Sequence, residues 1–462
     1  MTESTLFRSA AELSRMIRAR QISPVELTAE YFKRAEKLDP QLFAFVTFTE
    51  DLAMAQARAA EREVMKGKFR GPLHGIPWGP KDLFATNGIP TQWGCPAYQG
   101  QVFDYDATVV RKLRDAGAVL VGKLASGELA SGARWFGGTT RCPWDLTRSS
   151  SGSSAGPGAA TAAGLVGFSV GTETLGSIVS PAATNGVVGL RPTYGRVSRY
   201  GVMPLSWTMD KAGPICRTVE DCALVFESIL GADPLDASAV DAPFKFSAQS
   251  SVKGKKAGVL RNEFNSANDP EVARIFSAAL KSLESLGATL EDVQLDDYPY
   301  QDIARYTMNI EAACVFEPLW KTGKIDMLIN KQRAADWSAA RLLPAADYLK
   351  MQRLRSQICD HAAALFKKYD ALVAPTASTP AGLVDSPNLL VTNPFGTVTG
   401  GASLAFGNIT GLPAVSVPCG FTAANLPLGL QFIGPGFHEA GILRIAYAYE
   451  QANAWHDRHP KL

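Results

Sequence analysis

"TRSSSGSSAGPGAATAAG", residues 147–164, restricts the fold more than any other stretch, because it runs without a break into "LVGFSVGTETLGSIVSPAATNGVVGL". By composition alone the first half matches a flexible spacer. Spacers lie on surfaces, however, and have no reason to lead straight into an apolar run. Side chains this small let one backbone approach another, or approach a ligand. The stretch is therefore expected to be buried, inside a protein whose chemistry depends on close backbone packing.

The surrounding texture is α/β. Short apolar runs broken by Gly and Pro, "GAVLVGKLA" (117–125), "GLVGFSVGTE" (164–173), "KKAGVLRN" (255–262) and "DALVAPTAS" (370–378), read as buried strands. Helical periodicity lies between them in "TVEDCALVFESILG" and "EVARIFSAALKSLESLG". Alternation of this kind predicts an α/β protein with a largely parallel or mixed sheet. Residues 8–66 read as helical, and "SPVELTAEYFKRAEKLDP" supplies Ser23 as N-cap, Pro24 in the first turn and Glu26 as the acid of a capping box. Residues 297–368 lack strand patterns and predict a helical cap over one edge of the sheet. The only linker-like composition is "DAPFKFSAQSSVKGKK" at 241–256. The expected organisation is an N-terminal helical segment, 1–66, packed on one large α/β domain, 67–462, that carries the cap.

Charge and cysteine content exclude several classes. With 46 basic and 44 acidic side chains among 462 residues, and a net charge of +2, there is no cationic field to attract nucleic acid. The seven cysteines are scattered and never form a C-x-x-C pair, so they predict core thiols in a reducing compartment, without a disulfide framework or a zinc site. The first twenty residues have no apolar signal core, and no apolar run approaches the ~18 residues of a membrane span. A cytoplasmic location follows as the expectation.

Three catalytic patterns compete around the small-residue stretch. Gly152, Ser154 and Gly156 satisfy the G-x-S-x-G of a nucleophile elbow. That mechanism needs a downstream histidine, and among the five histidines only His438, in a loop after "GPGF", is placed to serve. "GAVLVGKL" matches G-x-x-x-x-G-K, but leucine stands where a metal-binding hydroxyl is required, and its β-branched interior is a strand. The third pattern is a serine activated by lysine, which requires an amine neutral near pH 7, a state that burial supplies. Lys81, in "HGIPWGPKDLF", has apolar neighbours and a Gly/Pro-rich backbone; a solvated pair with Asp82 is the simpler reading of the same residues. Lys123 has a similar claim.

"GPLHGIPWGPKDLF", "SSSGSSAGPGAATAAGLVGFSVGTETLGSIVSPAATNGVVGLRPTYGRVSRYG", "DKAGPICRTVEDCALV", "GNITGLPAVSVPCGF" and "LPLGLQFIGPGFHEAGILRIAYAYE" together resemble the amidase signature family. The likeness covers about residues 25–455 and is weakest between 235 and 370. It implies a central mixed, twisted sheet with helices on both faces. It also implies a Ser, cis-Ser, Lys triad, which maps onto Ser177 as nucleophile, Ser153 as bridging serine and Lys81 as base. By the same resemblance Gly152 precedes a cis peptide, Ser154 supports the site, and the backbone N–H groups of Thr174, Leu175, Gly176 and Ser177 form an oxyanion hole. Ser126 and Gly127 fall in a segment that lines the family's pocket, and the helical cap around Tyr306 to Phe316 closes it.

Departures from the family pattern bear on substrate. Glu173 stands where many members have Asp, Leu175 where they have Gly and Val179 where they often have Arg. Leu175 restricts its own backbone and adds bulk, and Val179 removes a carboxylate clamp. These changes predict a neutral, fairly apolar small-molecule amide substrate, with carbamates and esters as further substrates. The resemblance implies no metal or organic cofactor, charge and run length predict no nucleic-acid or membrane partner, and a homodimer is the permitted assembly. A stand-alone hydrolase is the expected activity, with the glutaminase component of a tRNA-dependent amidotransferase as the alternative.

Overall fold

The computed structural model describes residues 3–248, 251–384 and 401–462. Its centre is a ten-stranded sheet: β1 (Pro77–Pro80), β2 (Val119–Leu120), β3 (Phe168–Glu173), β4 (Val188–Arg191), β5 (Lys211–Cys216), β6 (Lys256–Val259), β7 (Thr289–Asp292), β8 (Ala371–Pro375), β9 (Ala414–Phe421) and β10 (Pro427–Ile433). They lie in the order β7-β6-β8-β10-β9-β4-β5-β3-β1-β2. The sheet is mixed. Pairs at the two ends run parallel, and the pairs from β8 to β3 run antiparallel. All four stretches read as strands contribute.

Alternate residues of β9 face two different apolar clusters, which is the two-sided burial expected of a covered sheet. Val415, Val417 and Cys419 pack with Phe226, Ile275 and Ile442 of the helices Val219–Ile229, Pro270–Ser285 and Glu439–Asn453. Ala414 joins Val179, Leu404 and Ile409 of the helices Val179–Asn185 and Ala402–Ile409. The small-residue stretch becomes the helix Ala155–Ala162, buried at every position. Gly156 N donates to Ala125 O at 2.8 Å, an approach that bulky side chains would prevent.

The N-terminal region forms the helices Glu3–Leu6, Ala10–Arg18, Pro24–Leu42 and Glu50–Met65. Leu13, Ile17, Leu27 and Tyr31 enter the main core, and Asp221 accepts the backbone N–H groups of Ala10 and Ala11 at 2.8 and 2.9 Å. Ser23 caps the third helix by accepting Val25 N at 3.0 Å and Glu26 N at 3.4 Å, and its hydroxyl donates to Glu61; the return bond from Ser23 N to the Glu26 side chain is not formed. The reciprocal capping box forms instead at Ser9 and Glu12. A short strand, Phe45–Phe48, interrupts the helical segment and pairs with Gly122–Leu124, so the run read as one strand over 117–125 divides between two sheets. Its β-branched and aromatic residues, "FVTF", are the physical cause.

Residues 300–365 form four helices, Tyr300–Val315, Glu317–Lys321, Lys331–Ala340 and Ala345–Leu365. Phe316, Leu319 and Trp337 pack against Leu83, Met203 and Leu205 next to the sheet. The linker-like 241–248 carries no regular structure but is pinned by ring contacts, Phe244 to Phe226 at 4.9 Å and Phe246 to Tyr447 at 5.9 Å. All seven cysteines are free, and five are buried; Cys314 is exposed and Cys359 half-buried, so two are not core thiols.

Candidate active site

Parallel pairing of β1 with β3 decides where Lys81 stands. Pro80 lies opposite Val170, and Lys81 N donates to Val170 O at 2.9 Å, so the lysine leaves β1 beside Thr172 at the carboxyl end of β3. Its side chain is fully buried. Nζ lies 2.7 Å from Ser153 Oγ, 2.9 Å from Thr172 Oγ1 and 3.5 Å from Thr172 O. No carboxylate pairs with it among the described residues. Burial holds the amine well below the usual lysine range, partly opposed by the charges of Asp210 and Glu173. The three oxygens match the three N–H donors of an ammonium or, in a neutral amine, two N–H donors at Thr172 with the lone pair accepting the Ser153 hydroxyl, and it is burial that favours the second. The solvated Lys81–Asp82 pair is not formed: both side chains are buried, and Asp82 lies 3.3 Å from Lys123. Lys123 is otherwise committed to Phe84 O and Thr91 Oγ1, which removes it as a rival.

The peptide Gly152–Ser153 is cis. A Cβ at position 152 would lie 1.8 Å from Gly132 O, so only glycine fits there. Gly127 N donates to Ser153 O at 3.1 Å, and Ser154 N donates to Ser177 O at 3.2 Å. The hydroxyl of Ser154 donates to Thr172 O at 3.2 Å and accepts Thr172 N at 3.3 Å. It ties the cis turn to β3 and is committed to the Thr172 backbone on both sides. His438, which an elbow mechanism would need, is exposed at the start of the helix Glu439–Asn453.

Ser177 sits in the turn between β3 and the helix Val179–Asn185. Glu173 shapes that turn: Oε2 accepts Ile178 N at 2.8 Å and Val179 N at 3.0 Å, while Oε1 accepts Arg191 Nη1 and Asn408 Nδ2, each at 2.9 Å. Burial alone would push its carboxyl up, but Arg191 and Lys211 outweigh it and hold the group below the usual glutamate range. Thr174 Oγ1 donates to Asp210 at 2.5 Å. Gly176 takes the left-handed φ of 93°, and Leu175 keeps a negative φ. The N–H groups of Thr174, Leu175, Gly176 and Ser177 have no acceptor among the described residues. The half-buried Ser177 hydroxyl likewise makes no hydrogen bond there, so Lys81 and Ser153 are joined while Ser177 is held beside them by its backbone alone.

A cavity of about 240 Å³ adjoins this machinery and is lined by residues that include Leu83, Ala130, Thr172, Thr174, Met203 and Asp210. Ser126 and Gly127 do not line it. Ser126 is fully buried and donates to Gly127 O at 2.9 Å, and Gly127 serves the Ser153 carbonyl; Ala130 of the same loop is what reaches the cavity. In the helix Tyr300–Val315 and the residue after it, Tyr306 is exposed, whereas Ala312, Ala313 and Phe316 pack with the cavity residues Leu83, Ala130 and Met203.

A family model described as Amidase matches residues 26–443. The chain belongs to the amidase family. Among curated relatives of this amidase, the A component of the glutamyl-tRNA(Gln) amidotransferase of Moorella thermoacetica is 39% identical, covering 99% of both chains. Among solved structures, the peptide amidase of Stenotrophomonas maltophilia is 32% identical with a TM-score of 0.84, covering 98% of each chain. A bacterial aryl acylamidase belonging to the amidase signature enzymes is 28% identical with a TM-score of 0.86, again covering 98% of each. The amidase is thus an enzyme acting on C–N bonds. Thr172, Asp210, Glu128 and Arg333 do not stand out in the sequence. Period-two alternation through Val170, Thr172 and Thr174 is the available signal for the first, since it sets Glu173 on the opposite face.

Proposed function

We propose that this amidase cleaves the C–N bond of an amide through an acyl-enzyme on Ser177. The Ser177 proton passes by way of the Ser153 hydroxyl to neutral Lys81 as the serine oxygen attacks the carbonyl carbon. Charged Lys81 then returns that proton through Ser153 to the leaving nitrogen, which departs as an amine or as ammonia. Water hydrolyses the ester by the reverse relay. Thr174, Leu175, Gly176 and Ser177 offer unpaired N–H groups to the oxyanion, each worth roughly 3 kcal/mol in such a site. The observation that carries this reading is the buried amine of Lys81, unpaired with any carboxylate among the described residues, 2.7 Å from Ser153 Oγ. The link from Ser153 to Ser177 tightens when substrate is bound, as catalytic hydrogen bonds commonly do.

Two substrate classes fit this chemistry. Curated relatives that are 34–39% identical over 97–99% of the chain favour glutamine as the amide, with the chain as glutaminase subunit of a transamidating complex. This goes against the expectation of a stand-alone enzyme. Leu83, Val202, Met203 and Leu205 around the cavity favour a neutral apolar amide or aryl carbamate instead, with Arg199, Asp210 and Lys211 at its edge for polar groups; Val179 packs in the core and does not line the cavity. Glutamine, an aryl amide and a p-nitrophenyl carbamate, each offered to purified wild type and to Ser177→Ala, separate the readings. Turnover confined to wild type supports the mechanism, and the preferred substrate selects the class. Turnover by Ser177→Ala would refute it.

A further inference from the structure

The cap grips the loop beside the cis turn through a set of buried hydrogen bonds that the chemistry above leaves unused. Glu128 accepts Ile329 N at 2.8 Å and Asn330 N at 3.0 Å, at the start of the helix Lys331–Ala340. From that helix Arg333 returns two bonds, to Glu128 O at 3.2 Å and Leu129 O at 2.8 Å. Both side chains are buried, and the guanidinium lies 4.6 Å from the Trp337 ring, itself stacked on Phe316.

The loop they grip does not hold its shape by local preference. Leu129 and Ala130 have φ of 47° and 65°, the left-handed region, which costs a non-glycine residue on the order of 1 kcal/mol or more. Leu129 N donates to Trp93 O at 2.9 Å, and the Arg333 bonds fix the carbonyls on either side of that residue's N–H. Immediately upstream, Gly127 N–H holds the carbonyl of Ser153 at 3.1 Å, and downstream Gly132 O packs against Gly152 so closely that no Cβ fits between. The loop therefore closes on the peptide that carries the bridging hydroxyl, and the cap closes on the loop.

We infer that Glu128 and Arg333 are positioning residues: they hold the 127–132 loop against Gly152–Ser153, so that seating of the cap and alignment of the Ser153 hydroxyl on Lys81 are a single event. This rests on the Lys81, Ser153, Ser177 reading above. Neither residue touches the reacting atoms, and their effect belongs in kcat and not in substrate affinity.

The test uses the full chain as Arg333→Gln, Glu128→Gln and Arg333→Ala beside wild type. Three quantities are read: the second-order rate of Ser177 modification by a small fluorophosphonate, kcat and KM for an amide that wild type turns over, and the thermal midpoint. The expected result is that modification and kcat fall together, by roughly 10- to 100-fold as misplacement of a reacting group does, with KM little changed. Millimolar guanidinium ion partly restores Arg333→Ala. If the Arg333 variants do not fold, Glu128→Gln, which keeps shape and one acceptor, decides alone. Wild-type rates in the folded variants, or a loss confined to KM, would overturn the inference. Failure of wild type itself to be modified at Ser177 would instead remove the triad reading beneath it.

Discussion

Lys81 and Lys123 are both fully buried, forty-two positions apart, and only their partners distinguish them. Lys123 has the Asp82 carboxylate 3.3 Å away, whereas Lys81 has hydroxyls and a carbonyl. Nothing in "GPKDL" or "VGKLA" announces that difference, because it depends on which lysine the sheet brings to Ser153. A lysine held neutral in the fold and charged when unfolded binds fewer protons in the native state. Its contribution to stability therefore rises with pH from its depressed value up to the ordinary 10.5. Lys81→Met removes both the amine and the cost of burying it. We expect kcat/KM to fall by roughly 10²–10⁴-fold, while the denaturation midpoint at neutral pH stays equal or rises and its slope with pH flattens. An inactive variant with a lower midpoint would mean that the amine is charged and paired in the fold. Glu450 has the opposite sign. Burial pushes its carboxyl up to about 8 from 4.5, so wild type loses stability as pH rises through that window. Denaturant titrations of Glu450→Gln should match wild type at the acid end and exceed it at and above pH about 8.

At the scale of elements, the turn from β3 into the helix Val179–Asn185 depends on a side chain that the sequence marked only as a departure from the family. Glu173 reaches the two N–H groups beyond Ser177 and neutralises Arg191 in the same bond set. Glu173→Gln leaves that arginine buried without a counter-charge, and we expect a loss of roughly 3–5 kcal/mol in chemical denaturation, as for other broken buried pairs. A wild-type midpoint would contradict that cost. Glycines offer a paired test. Gly152→Ala places a Cβ 1.8 Å from Gly132 O and should abolish activity, whereas Gly441→Ala, in the helix Glu439–Asn453 with nothing within 4 Å, should stabilise by about 1 kcal/mol at full activity. The elements themselves were legible where local pattern decides. The buried runs became strands, and the small-residue stretch became a helix pressed on neighbouring backbone. What local pattern could not supply is long-range: the Phe45–Phe48 pairing with Gly122–Leu124, the bond from Ser23 to Glu61, and the inward turn of Ser126 and Gly127.

For the molecule as a whole, one covered sheet places β1 and β3 side by side so that their carboxyl ends supply Lys81, Thr172 and the Ser177 turn together. Buried carboxylates stitch the N-terminal helices to the helix Val219–Ile229 through Asp221, and the cap to loops beside the sheet through Glu128 and Glu311. No helix among the described residues is long and apolar enough to cross a membrane. Family, fold and triad candidates could be read from ordered sequence blocks, because spacing of Gly and Ser along the chain survives as geometry. Substrate class could not, because the cavity beside the site is lined by side chains from β3, β5 and the 199–210 segment that meet only in the folded chain. The central claim is that a neutral Lys81 drives acylation of Ser177, and its most direct measurement is the rate of fluorophosphonate modification as a function of pH, with the adduct mapped by peptide mass. Modification of wild type confined to Ser177, titrating with a single ionisation far below 10.5 and lost in Lys81→Met, is the predicted result. An adduct on another serine, or undiminished modification without the lysine, would contradict it.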